Sequence, residues 1–122
     1  MLARTKPSEA YREANFDARL MGSTSENLVL FCIEDFVQTL GALEFAEQRG
    51  DRAARSRSLT RAITALTALE LGVDRDAEMG ASLLHFYGAA KTLLLDSIRV
   101  IDLGRIAELR QDFRDIATAF AG

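Results

Sequence analysis

The chain has 122 residues, of which 48% are apolar and 27% charged, with a formal net charge of −3 at pH 7. That length suits one domain closing one hydrophobic core, and the balance excludes a disordered tail. The longest unbroken apolar run, 28–33, falls far short of the ~20 residues a bilayer-spanning helix needs, and the basic excess of a nucleic-acid binder is absent.

One domain over 1–122 is the expected organisation, with 1–22 as a separable N-terminal segment. The opening Met1 to Ser8 shows no apolar stretch followed by a cleavage site, so no secretory signal is expected. The single cysteine, Cys32, has no partner for an internal disulfide and lies inside the apolar run. It reads as a reduced core thiol, which points to the cytoplasm. Tyr11, Phe16 and Leu20 lend residues 8–20 enough apolar character for a short helix. The one proline, Pro7, precedes everything periodic, and no segment alternates as a strand does.

Ser23 or Thr24 predicts the start of the first long helix, with Glu26 placed three after Ser23 as in a capping box. Val29, Ile33, Phe36, Leu40 and Leu43 form its apolar stripe, widened by Leu28, Cys32 and Ala46, and Gly50 marks its stop after Arg49. Asp51 then caps a second helix that runs to Leu71 before Gly72, with Leu59, Ala62, Ile63, Leu66 and Leu69 facing the core. Asp74 or Asp76 opens a third, on which Met79, Leu83, Phe86, Tyr87, Ala90, Leu94, Ile98 and Ile101 share one face. Asp102 caps a fourth, striped by Ile106, Leu109, Phe113, Ile116 and Phe120. Four such helices joined by tight turns predict an all-α, antiparallel four-helix bundle with a short extra N-terminal helix or cap segment.

Catalytic equipment is missing. The chain holds no phosphate-binding glycine loop and no dinucleotide fingerprint, and one His with one Cys cannot build a Cys/His zinc site. Glu-x-x-His pairs for a carboxylate metal site are absent as well, so neither enzyme activity, cofactor nor metal is expected. Arg49, Arg52, Arg55, Arg57 and Arg61 cluster beside Glu44, Glu47 and Asp51, which reads as a solvated face. His85 projects outward in mid-helix, the placement a histidine phosphotransfer domain requires. The following string, Phe86-Tyr87-Gly88-Ala89-Ala90-Lys91, lacks the H-x-x-K-G lysine of such domains.

Apolar residues off the stripes carry more information. Phe31 and Phe45 project far from the first stripe, and Leu84 and Leu95 flank the third with Gly88 between them. Thr60, Thr64, Thr67 and Ala68 give the second helix a face of small side chains. Two occupants fit such a surface: the N-terminal segment carrying Tyr11, Phe16 and Leu20, or an apolar peptide from a partner. Apolar patches of this kind also allow two free copies to pair as a homodimer.

The order of features from Tyr11 to Phe120 resembles the FliS family of flagellin export chaperones. Tyr11 matches a tyrosine near the family's start. Thr24-Ser25-Glu26-Asn27-Leu28 resembles its Ser-Pro-Glu-x-Leu helix start, with Ser25 at the proline position, and Leu28-Val29-Leu30 follows. Ile33-Glu34-Asp35 stands where the family commonly has Tyr-Asp-Gly. Glu47-Gln48-Arg49-Gly50-Asp51 is similar to its stop between the first two long helices. Ser58-Leu59-Thr60-Arg61-Ala62 with Leu66 to Leu69 fits its second helix, and Arg110-Gln111-Asp112-Phe113-Arg114 with Phe120 fits its last.

The resemblance implies a cytoplasmic chaperone. It would bind the disordered C-terminal segment of flagellin, prevent premature polymerisation and aid delivery to the flagellar export apparatus. Neither nucleic acid nor membrane insertion is implied. A helical adaptor for some other regulatory protein has the same surface needs and remains the alternative, followed by phosphotransfer through His85.

Overall fold

A computed structural model describes residues 25–121. Within them the chain forms four helices and no strand: α1 (Ser25–Arg49), α2 (Arg52–Leu71), α3 (Gly80–Asp96) and α4 (Leu103–Ala121). The expected all-α bundle is therefore observed. The caps expected at Ser23 or Thr24, and the helix expected over 8–20, lie outside the described residues.

The α1–α2 corner forms as its sequence dictates. Gly50 is left-handed at φ 71°, a conformation that a Cβ disfavours. Its N–H donates to the Glu47 carbonyl at 3.1 Å, and the Asp51 N–H donates to the Ala46 carbonyl at 3.0 Å. These two bonds satisfy carbonyls that the helix end would otherwise leave open. Asp51 also begins α2, its carboxylate accepting from the Ala54 N–H at 3.0 Å. One residue thus helps end one helix and starts the next.

The α2–α3 connection departs from expectation. Asp74 and Asp76 do not cap α3, which begins at Gly80 after an N-cap Met79 with no side-chain cap bond. Asp74 folds a turn instead, its Oδ1 accepting from the Asp76 N–H at 2.9 Å and its carbonyl from the Ala77 N–H at 3.1 Å. Buried Gly80 closes that turn; a Cβ there would collide with the Asp74 carbonyl and the Arg75 backbone. The extra turn leaves Met79 before the helix and 60% exposed, not in the core.

At the other end, α3 stops at Asp96 without glycine or proline. Buried Ser97 bonds its hydroxyl to the Leu93 carbonyl at 2.7 Å, and the chain turns toward Asp102. Ile98 therefore leaves the helical periodicity and is exposed, whereas Ile101 returns to the core. Asp102 caps α4 as expected, its Oδ1 accepting from the Arg105 N–H at 3.2 Å.

Helix α1 packs against α2 and α4, and α2 packs against α3. The backbones of α3 and α4 have no comparable approach, and aromatic rings close the gap between them. The Phe113 ring of α4 lies 4.5 Å from Phe36 of α1, 4.9 Å from Phe86 and 6.1 Å from Tyr87 of α3, centroid to centroid. Ile33, Leu40, Leu43, Ala62, Leu66, Leu94 and Ile106 complete the core around this cluster. Phe120, expected to extend the α4 stripe, is exposed. With Phe113 level with Phe86, Phe120 lies about where α3 begins, so little of α3 remains to cover it.

Phe113 is fully buried and touches rings on two other helices, so its removal has no small rearrangement to compensate it. Phe113→Ala is expected to cost about 3–5 kcal/mol, read from the urea midpoint, against about 1 kcal/mol for Gly50→Ala at the α1 stop.

Candidate partner-binding surface

Ion pairs set the helix registers that position the surface. Arg55 Nη1 donates to Glu47 Oε1 at 3.2 Å, and Arg61 Nη2 stands 3.9 Å from Asp35 Oδ1, which aligns α2 antiparallel to α1. Lys91 Nζ donates to Glu70 Oε1 at 3.1 Å and ties α3 to α2. Arg110 of α4 reaches Glu44 of α1, with Nη2 donating to Oε1 at 3.3 Å. Its Nε is 2.8 Å from Oε2, but the N–H is aimed off that oxygen, so charge and not a directed bond holds it. Charge counting along the chain placed Glu44 on a solvated face beside its local arginines. Its actual partner is 66 residues away.

The residues singled out from sequence do not form one groove. Helical projection from the Lys91–Glu70 pair puts Thr67 on the flank of α2 beside that pair, and Leu84, Gly88 and Leu95 on the matching flank of α3. Counted antiparallel from the pair, Leu95 and Thr67 come level with each other, whereas Leu84 and Gly88 lie level with the connection after α2, and Thr60 lies beyond the end of α3. Leu95 is 48% exposed, Thr60 is exposed, and Thr67 and Leu84 are half-buried. The Thr67 hydroxyl donates back to the Ile63 carbonyl of its own helix at 3.0 Å.

Thr64 and Ala68 are exposed on the outer back of α2. Half-buried Phe31 lies on the outer face of α1, at about the level of Thr64 and Ala68 given the Arg61–Asp35 pair. Phe31 and the back of α2 therefore share one level of the bundle, and Leu84, Gly88 and Leu95 run along α3. Phe45 lies apart, about 21 Å further along α1 at 1.5 Å per residue. It is 58% exposed, with the Arg49 guanidinium 5.2 Å from its ring centroid. Tyr11, Phe16 and Leu20 lie outside the described residues.

Gly88 is the informative position on α3. A Cβ added there would meet nothing within 4 Å, so no neighbour among the described residues requires a glycine. A glycine within a helix costs about 1 kcal/mol relative to alanine, and here the fold gains no packing in return. The open space is what close approach by another backbone would use.

Sequence reading missed two exposed apolar side chains, Leu71 and Val100. Leu71 ends α2 just before Gly72, off the stripe of Leu59, Ala62, Leu66 and Leu69, and that offset was the available signal. Val100 lies in the irregular link after Ser97, where no periodicity applies.

The site offers no evident chemistry. Cys32 is half-buried, and burial first, with the nearby Asp35 carboxylate second, pushes its thiol above the ordinary value. Burial pushes the Tyr87 phenol up too, with Cys32 as the smaller cause. Both shifts favour the neutral, unreactive form. His85 is exposed on α3, but Lys91 is held by Glu70 on a different face. Among the described residues, no group of three His, Cys, Asp or Glu is placed to hold a metal ion. No helix there is long and apolar enough to cross a membrane.

The family model described as Flagellar protein FliS matches residues 7–122. The chain belongs to the FliS family. With that membership goes a flagellar chaperone role in general. No curated protein and no solved structure gave a significant match. The FliS match spans all four helices, so these candidate residues lie on the family's own bundle and not on an added part.

Because nothing among the described residues needs the glycine, Gly88→Ala should stabilise the free protein by up to about 1 kcal/mol in thermal or urea unfolding. A loss of stability would mean that a neighbour does need it.

Proposed function

We propose that this FliS-family chain binds the C-terminal segment of flagellin in the cytoplasm. In doing so it holds the subunit back from premature polymerisation and presents it to the flagellar export apparatus. What supports the reading is family membership together with the open space beside Gly88; we take Phe31, the back of α2 and the Leu84–Leu95 side of α3 together as one band for a wrapped segment. A segment that is disordered when free can wrap such a band, placing apolar side chains on Phe31, Leu84 and Leu95. It can bring its backbone close at Gly88 and across the threonine face. Phe45 provides a second anchor further along the path. A helix that fits a small-residue face gains contact area at each small position, because its axis can approach more closely.

The rigid aromatic core suits this task. Ordering the partner carries an entropic cost, and a scaffold that does not reorder on binding adds little to it. No cofactor takes part. The N-terminal segment with Tyr11, Phe16 and Leu20 covers part of the same surface when flagellin is absent, and leaves when the partner arrives.

Calorimetry with a flagellin C-terminal peptide tests both statements. Gly88→Ala should leave the chaperone at least as stable yet weaken binding about tenfold, equivalent to 1.4 kcal/mol. Leu95→Ala and Phe31→Ala should weaken it comparably. Unchanged affinity in all three would remove the band as the site. Deleting the residues before Ser23 should tighten binding; weaker binding would show that the segment contacts the partner directly.

A further inference from the structure

The two ends of helix α2 expose charge of opposite sign. Asp51 caps the N-terminal end, but the first turn itself contains no acidic residue. Arginines stand there instead: Arg52 and Arg57 are exposed and enter no ion pair among the described residues, and Arg49 is next to them across the corner. The carboxylates nearby are already engaged. Asp51 caps Ala54, and Glu47 holds Arg55.

The opposite end mirrors this. The last turn of α2 carries no basic residue, and the connection beyond it exposes Asp74, Asp76 and Glu78 against one arginine, Arg75. Each end also exposes apolar surface. Leu71 (83%) and Met79 (60%) accompany the carboxylates, and Phe45 accompanies the arginines.

The two ends cannot relieve one another within one copy, because the 20 residues of α2 hold them about 30 Å apart. We propose that free copies of this chain associate end to end, the acidic connection of one bundle docking on the arginine corner of the next. Leu71 and Met79 meet Phe45 in that contact, and the carboxylates of one copy meet Arg49, Arg52 and Arg57 of the other. The charge complementarity of the two ends selects a second copy as the occupant. The contact joins two different surfaces, so it builds open chains and not a closed pair. It is weak and salt-sensitive, since exposed charges are screened within about 8 Å at physiological ionic strength. The proposal stands apart from the flagellin reading and needs no flagellin in its test.

Sedimentation equilibrium of the full chain at low and high salt supplies that test. At low salt the average mass should climb with concentration past twice that of the chain, and high salt should reverse it. Asp76→Lys with Glu78→Lys, and separately Arg52→Glu with Arg57→Glu, should each give a monomer. Mixing the two variants should restore association, because the mixture recreates one native contact. Arg52→Glu places a carboxylate at the N-terminal end of α2 and should favour that helix, so its monomeric state cannot come from unfolding. A wild-type monomer at low salt would overturn the proposal. So would association that survives both charge reversals, or a mixture that stays monomeric.

Discussion

Phe113 is where three of the four helices meet. Its ring touches Phe36 from α1 and the Phe86–Tyr87 pair from α3, and it spans the one side of the bundle where backbones stay apart. Aromatic rings bury large areas and favour tilted or offset contacts, so a cluster of four fixes helix positions more tightly than aliphatic packing alone. With α3 held through its rings, the positions of Leu84, Gly88 and Leu95 on its outer flank are fixed relative to the rest of the bundle. The surface assigned to the partner thus rests on a contact at the opposite side of α3.

Much of this fold could be read from local chemistry. Gly50 and Asp51 specify a left-handed stop and a cap in two adjacent residues, and the structure uses both as written. Asp102 was legible for the same reason, even without glycine or proline before it. Stripes identified Ile33, Phe36, Leu66, Tyr87, Leu94 and Phe113 as core, because helical spacing leaves a buried face little freedom.

Illegible features depended on where helices end or on distant partners. Asp74 looks equally suited to capping a helix or folding a turn, and only the fit of Gly80 against its carbonyl selects the turn. Met79, Ile98 and Phe120 followed the spacing of their stripes, yet each lies at or beyond the point where a helix or its cover stops. The Glu44–Arg110 pair joins residues far apart in sequence, so no local pattern announces it. Of the candidate surface, residue types were legible and grouping was not. Projection on separate helices could not show that Phe31 belongs with the back of α2 while Phe45 lies a distance away.

A FliS-family chaperone that wraps an unstructured segment around a rigid bundle requires that segment for most of its affinity. Binding full-length flagellin and flagellin lacking its C-terminal segment to this chain, by calorimetry under one buffer, tests that requirement directly. The account predicts clear binding to the full-length subunit and none to the truncated one. Equal affinity for both would contradict it.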